Sequence, residues 1–279
     1  MFDPPTRPRV PLTERLLNLA PILNCATKGY FLTGTGTEVG KTVVTAALAR
    51  RYRAAGITCA AVKPVQSGAH RDGAHCDGAH CDGAQPEGPQ SEGHRWVLPD
   101  AEVYRMAGQR PPEGIGEEFA YAFEPACSPH LAAKMAGRTI SLERIVQFLE
   151  PFFARYDRVL VEGIGGAAVP LNERQTVLDL MQALSLPVLL VADNRLGVLN
   201  HAILALAAMR AAGLNVAGVV LTNTTPPTNE DQYLREDNRL AIEHYGRVPV
   251  VAEIGHIPGF DPKNARHWRR LDACLGHLQ

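Results

Sequence analysis

The stretch Gly34-Thr35-Gly36-Thr37-Glu38-Val39-Gly40-Lys41-Thr42 carries the residue types needed to hold a run of phosphates. Glycines let backbone N–H groups converge on phosphate oxygens without an intervening side chain. A helix opening at Lys41 would add partial positive charge. The lysine would reach the terminal phosphates, and the Thr42 hydroxyl could bind Mg²⁺. Five residues separate Gly34 from Gly40, where the common phosphate loop has four. A dinucleotide-binding turn is the rival reading, since Gly34-x-Gly36-x-x-x-Gly40 is a loose variant of that fingerprint. Such a site calls for an acid about 20 residues on, at the end of the second strand. Here that strand leads into Lys63, so the pattern favours a nucleoside triphosphate.

Three further positions bear on the same chemistry. Lys63, in Lys63-Pro64-Val65-Gln66-Ser67, would alone be as readily a solvated lysine. Beside a phosphate loop it is a second cation for a transferring phosphoryl group. Glu162 closes the apolar run Val159–Val161 and precedes Gly163-Ile164-Gly165-Gly166. An acid at the end of a buried strand beside a phosphate loop is a Mg²⁺ ligand, direct or through water. Asp100, before Ala101-Glu102, reads by itself more as a helix N-cap than as a metal ligand. Ser128-Pro129-His130 reads as an N-cap serine with proline at the first helical position, not as a catalytic Ser–His pair. No hydrolase triad is visible.

The elements that must position these residues alternate along the chain. Apolar runs at Tyr30–Leu32, Cys59–Val62, Arg158–Val161, Pro187–Val191, Val216–Leu221 and Val248–Val251 are continuous rather than alternating, as in strands covered on both faces. Between them the spacing predicts helices at Lys41–Ala55, Ser141–Ala154, Leu199–Ala212 and Asp231–Tyr245. The expectation is a single α/β domain with a doubly wound, mainly parallel sheet of the P-loop NTPase type. Its ligands would sit at the carboxyl ends of the strands, which is where the chemically interesting residues fall.

Composition narrows the class. The chain has 279 residues, 46% hydrophobic and 20% charged, with a formal charge of −1. It has no basic stripe for nucleic acid. The patch Leu16–Ile22 is too short to span a membrane. Its six scattered cysteines, with no secretory signal ahead of them, suit a reducing cytoplasm better than a disulfide scaffold. Residues 1–28 read as an N-terminal extension to a domain at 29–279. From Gly68 the unit Gly-Ala-His-x-Asp repeats three times. It offers His70, His75, His80, Cys76 and Cys81 as metal ligands, but the stretch at about 69–95 reads better as a flexible surface insertion, because such a loop preorganises a metal poorly.

Taken in order, the motifs resemble the dethiobiotin synthetase family over about Gly29 to Ile257. They are the Gly34–Thr42 loop, Lys63-Pro64-Val65-x-Ser67-Gly68, Asp100-Ala101, Phe123-x-x-Pro125-x-x-Ser128-Pro129-His130, Val161-Glu162-Gly163-x-Gly165-Gly166, Leu196-Gly197-x-x-Asn200-His201-Ala202 and Asn223-x-x-Pro226-Pro227. The family's loop shares the five-residue spacing, although it usually carries aspartate at Gly36 and alanine at Ile164. The resemblance implies that ATP, Mg²⁺ and CO₂ convert 7,8-diaminopelargonic acid (7,8-diaminononanoate) into the cyclic urea dethiobiotin. By the same analogy Lys41 and Lys63 are catalytic, and Thr37 and Ser67 touch the diamine. Thr42, Asp100 and Glu162 hold Mg²⁺. Glu38, Val39, Gly40, Lys41, Thr42, Val43, Gly163, Ile164 and Gly165 line the nucleotide with Asp100 and Glu162. Asn223 and Thr224 meet the adenine edge, and Gly255, His256 and Ile257 cover its face. Gly197 and Asn200 match a helix start that meets the substrate carboxylate across subunits, which implies a homodimer.

Two other functions share the fold. An amidoligase on a larger acid would need a glutaminase domain, for which too little chain follows Val251. A partitioning-type switch ATPase would show a lysine early in the loop, where this chain has Thr35 and Gly36.

Overall fold

The computed structural model describes residue 22 and residues 26–71, 96–109, 118–228 and 232–275. Strand β1 (Gly29–Gly34) leads through the glycine loop into α1 (Lys41–Ala54), and β2 (Cys59–Val62) follows. Short strands β3 (Val65–Ser67), β4 (His70–Arg71) and β5 (Trp96–Val97) come next, then α2 (Pro99–Met106), β6 (Tyr121–Phe123), α3 (Pro129–Met135) and α4 (Leu142–Arg155). The second half alternates β7 (Arg158–Gly166), α5 (Val177–Leu184), β8 (Val188–Asp193), α6 (Val198–Ala211), β9 (Val216–Thr222), α7 (Gln232–Gly246), β10 (Val250–Ile254) and α8 (Ala265–Cys274).

All six apolar runs form strands of one sheet, in the order β10-β9-β8-β1-β7-β2, and every pairing in it is parallel. The chain leaves β1 toward the β2 edge, returns through β7, then crosses β1 to build β8, β9 and β10 outward. That reversal puts the glycine loop at the carboxyl-end crevice where such sheets bind ligands. Strand period explains the two layers, because successive side chains point to opposite faces. Tyr30, Leu32, Leu189 and Val191 pack with α1, Tyr104 of α2 and Trp268 of α8. Phe31, Val188 and Leu190 pack on the other face with α4, α5, α6 and α7. In α4 the buried Ile145, Leu149 and Phe152 recur at helical spacing, each contributing roughly 1.5–3 kcal/mol by leaving water.

Sequence and structure part company at three places. Glu162 does not end its strand: β7 runs on to Gly166, because Gly34 and Gly166 pair across the β1–β7 ladder after an irregularity. Asp100 is not an N-cap. Leu98 takes that position and Pro99 opens the helix, which frees the Asp100 carboxylate to point elsewhere. Ile22, inside the expected extension, is buried with the core, and its carbonyl accepts hydrogen bonds from Tyr30 and Tyr52 at 2.9 and 3.1 Å. The histidine and cysteine repeats after His70 lie outside the described residues.

Two local devices matter below. At the β2 edge, Gln109 accepts from the Ala61 N–H at 2.7 Å and donates to the Ala61 carbonyl at 2.9 Å. At the start of α5, the Thr176 backbone N–H and hydroxyl both donate to Asp179, at 2.6 and 2.8 Å.

Candidate active site

The glycine loop is shaped by steric need at two positions. A Cβ on Gly34 would lie 2.8 Å from Val39 Cγ2 and 2.9 Å from the Gly36 carbonyl oxygen. Gly40 sits at φ +85°, a left-handed conformation costly for other residues. Glu38 adopts φ 56° as well. Gly36, by contrast, has open space where a side chain would go. The first helical bond of α1 is Val44 N–H to Gly40. The N–H groups of Lys41, Thr42 and Val43 therefore precede the intrahelical ladder and suit an anion at the positive end of the helix. Lys41 Nζ donates to the Gly36 carbonyl at 2.6 Å.

Beside this loop four elements bring polar side chains to one point. The Thr42 hydroxyl, from α1, lies 2.5 Å from Asp100 Oδ1 and 2.9 Å from Glu162 Oε1. Lys63, at the end of β2, donates to Asp100 Oδ2 at 2.6 Å and lies 3.3 Å from Glu162 Oε1. Tyr104, one turn beyond Asp100 on α2, donates its hydroxyl to Glu162 Oε2 at 2.5 Å. Glu162 is 1% exposed, so its oxygens are satisfied by these partners rather than by water.

The protonation states follow from that packing. Burial disfavours the Lys63 ammonium, but Glu162 and Asp100 outweigh it and raise its pKa. Burial likewise opposes the Asp100 charge, and Lys63 with hydrogen bonds from Thr42 and Gln66 overcomes it, lowering that pKa. Lys41 is pushed down to about 8, chiefly by burial and further by Lys63, against the pull of Glu162 and Asp100. Burial and the neighbouring Glu162 charge hold the Tyr104 phenol well above its ordinary value, so it remains a donor. Among the described residues no three His, Cys, Asp or Glu side chains gather at a metal position. Two carboxylates and a hydroxyl make an all-oxygen set that leaves room for waters and phosphate, which suits Mg²⁺.

A second polar cluster sits at the carboxyl ends of β8, β9 and β10. Asn223 donates to Glu253 Oε1 and to the Ile254 carbonyl, each at 3.1 Å, and accepts from Arg235 Nη1 at 2.8 Å. Asn194 donates to the same Glu253 oxygen at 3.2 Å and accepts from Asn238 at 2.9 Å. Arg235 also holds the Thr225 and Pro226 carbonyls. Thr222 joins this cluster to the phosphate loop, its hydroxyl donating to the Val39 carbonyl at 2.9 Å.

Comparison with known proteins places the chain in a family. A family model described as an AAA domain matches residues 28–264. The ATP-dependent dethiobiotin synthetase of Anoxybacillus flavithermus is 37% identical over 244 residues, covering 87% of this chain and 98% of that protein. The protein of the same name in Anaeromyxobacter dehalogenans strain 2CP-C is 41% identical, covering 89% and 97%. The chain belongs to the dethiobiotin synthetase family. A looser likeness, to a ParA family ATPase from Chlorobium tepidum, has a TM-score of 0.46 at 13% identity and covers 89% of this chain and 91% of that one.

Of the residues expected from the dethiobiotin synthetase resemblance, Lys41, Thr42, Lys63, Asp100 and Glu162 fall within the charged cluster. Gly163, Ile164 and Gly165 continue β7 beside it. Ser67 ends β3 half-buried, Thr37 and Glu38 are exposed on the loop, Val39 is buried, and Val43 is half-buried in α1. Thr224 is exposed, and its N–H and hydroxyl are both held by Asp193 at 3.1 and 2.8 Å. Gly255 is exposed and His256 half-buried, whereas Ile257 packs into the core. Gly197 caps α6 at φ +94°, with Asn200 exposed one turn on. Tyr104, Arg235, Asn194 and Asn238 were not expected. Each lies on a helix or at a strand end, where it reads as core filler or solvated polar surface.

Proposed function

We propose that this chain is an ATP-dependent dethiobiotin synthetase acting on 7,8-diaminononanoate. The observation that carries the reading is the convergence of Thr42, Lys63, Asp100 and Glu162 beside the loop that ends in Lys41. The reaction begins when one substrate amine takes up CO₂ and loses a proton, giving a carbamate. A carbamate oxygen attacks the γ-phosphorus of ATP and ADP leaves. The second amine then attacks the carbonyl carbon, loses a proton, expels phosphate and closes the ring. The difficulty is bringing an anionic carbamate to an anionic phosphate, which demands concentrated positive charge.

Lys63 suits that task because its carboxylate neighbours keep it protonated. Lys41 and the leading N–H groups of α1 take the phosphates, while Ser67 and Thr37 meet the diamine. Thr42, Asp100 and Glu162 would hold Mg²⁺, which would neutralise phosphate charge. Asn223 and Thr224 would meet the base, flanked by Gly255, His256 and Ile257. Gly197 and Asn200 would meet the substrate carboxylate in a homodimer. That assembly is favoured by the exposure of Leu196 (85%), Leu204 (61%) and Leu240 (49%) on and beside α6 and α7. No helix among the described residues is long and apolar enough to cross a membrane. Cys59, Cys127 and Cys274 are free thiols, as a cytoplasmic setting favours.

The test is phosphate release from ATP with the diamine and bicarbonate, together with mass detection of the cyclic urea. Release that ignores the diamine would overturn the assignment.

A further inference from the structure

We propose that Tyr104 is a positioning residue for Glu162, fixing which carboxylate oxygen faces the metal and phosphate side of the site. The inference deepens the reading above and rests on Glu162 being a Mg²⁺ ligand. Tyr104 is 2% exposed, and its hydroxyl donates to Glu162 Oε2 at 2.5 Å. The other oxygen, Oε1, faces Thr42 at 2.9 Å and Lys63 at 3.3 Å. The two oxygens are thus divided: one is held by a neutral donor from the core, and the other is presented to the groups at the phosphate loop. A carboxylate is free to turn about its last torsion unless a donor fixes it. A fixed orientation is what a neighbouring hydrogen bond supplies to a metal ligand.

The placement of Tyr104 is built in. Asp100 and Tyr104 are four residues apart on α2, so their side chains share a face. The far end of that helix is anchored twice. Arg50 and Arg53 donate to the Ala107 carbonyl at 3.3 and 3.1 Å, and Gln109 pairs with both peptide groups of Ala61. One rigid helix therefore delivers a ligand carboxylate and the donor that orients the other ligand. Without the hydroxyl, Oε2 becomes a buried acceptor, and the carboxylate can turn to share Lys63 across both oxygens. A carboxylate engaged in that way is a poorer metal ligand.

The test is Tyr104→Phe in the full chain, which keeps the ring and removes only the hydroxyl. Mn²⁺ binding is followed by electron paramagnetic resonance in the presence of a non-hydrolysable ATP analogue, and so needs no turnover. The variant should bind Mn²⁺ about tenfold more weakly. Its half-saturating Mg²⁺ concentration for phosphate release should rise in parallel, with the KM for the diamine within about twofold. In a Glu162→Gln background the same substitution should add nothing to the loss of Mn²⁺ affinity, because the effect runs through the carboxylate. Unchanged Mn²⁺ affinity with a lowered melting temperature would make Tyr104 core filler and overturn the proposal, as would full additivity with Glu162→Gln. If the wild-type chain takes up no Mn²⁺ beside the nucleotide analogue, Glu162 loses its metal role and the proposal falls with it. Failure confined to the variant removes Tyr104 alone.

Discussion

The carboxyl edge of one sheet carries two buried polar clusters built on opposite terms. Beside β7 and β2, Lys63, Asp100, Glu162 and Thr42 share partners: the lysine and the hydroxyl each lie near two acids. Beside β9 and β10, the amides of Asn194 and Asn223 both donate to Glu253 Oε1, and Arg235, which can only donate, fixes the oxygen of Asn223. The first arrangement is a balance of charges that an incoming phosphate or cation must redistribute. The second is a hydrogen-bond lattice that holds a loop. In low dielectric both must be satisfied, but only the first has strong charges free to exchange partners.

The sharpest way to break the contrast is Lys63→Gln. Turnover should fall by roughly 10²–10³-fold, the scale for losing one stabilising group at developing charge. Asp100 and Glu162 are then left without their bridging cation, so the melting temperature should drop while the chain stays folded by circular dichroism. Near-normal phosphate release would take Lys63 off the catalytic side of the comparison. Arg235→Met tests the other side. It strips donors from Asn223 Oδ1 and the Thr225 and Pro226 carbonyls. Urea denaturation should show a loss of about 1.5–3 kcal/mol, the scale for losing hydrogen bonds to a charged group. Steady-state kinetics should show a raised KM for ATP with kcat nearly kept. A collapse in kcat as deep as that of Lys63→Gln would mean that the two clusters do not differ in kind.

Thr222 joins the regions, and two glycines of the phosphate loop respond differently. Gly40→Ala must hold a left-handed backbone with its new Cβ 3.3 Å from Thr222 Cγ2, costing about 1–2 kcal/mol by chemical denaturation. Gly36→Ala meets nothing within 4 Å and should stay within about 0.5 kcal/mol of the parent. Equal losses would mean that the loop's shape does not depend on the Thr222 contact.

The smallest effect belongs to a carboxylate outside both clusters. Hydrogen bonds from the Thr176 backbone and hydroxyl hold Asp179 below its usual range. Because the folded value is the lower one, its stabilisation is complete above the ordinary aspartate value near ~3.9. It drains away as pH falls through the folded value. Asp179→Asn should therefore cost about 1 kcal/mol at neutral pH, and the deficit should shrink in melts below about pH 4. Turnover should be unaffected.

Much of the frame was legible because its physics is local. Strands covered on both faces must be apolar throughout, so six runs announced the sheet. A loop that approaches phosphate must be glycine-rich, so Gly34–Thr42 announced itself. Glu162 was legible as an acid beside that loop, but the strand beyond it was not, since glycines there read as a turn until Gly34 is seen to pair with Gly166. Asp100 looked like a cap because an acid at a helix start usually is one. Only the tertiary position of α2 turns it toward Thr42. Tyr104 was hidden for the same reason, as was Arg235, whose helix reads as a solvated face. Three-residue β3 and β6 are too short to show a period.

The glutamine at the β2 edge bears on how the molecule behaves in a crowd of copies. A terminal strand offers a row of unpaired peptide groups that can recruit a strand from a neighbour and start a continuous intermolecular sheet. Gln109 presents an amide that imitates one residue of a further strand and occupies both outward-facing groups of Ala61. With Arg53 donating to the Cys59 carbonyl of the same strand, the sheet ends at this side, and the same contact that seats α2 makes the edge a poor template for aggregation.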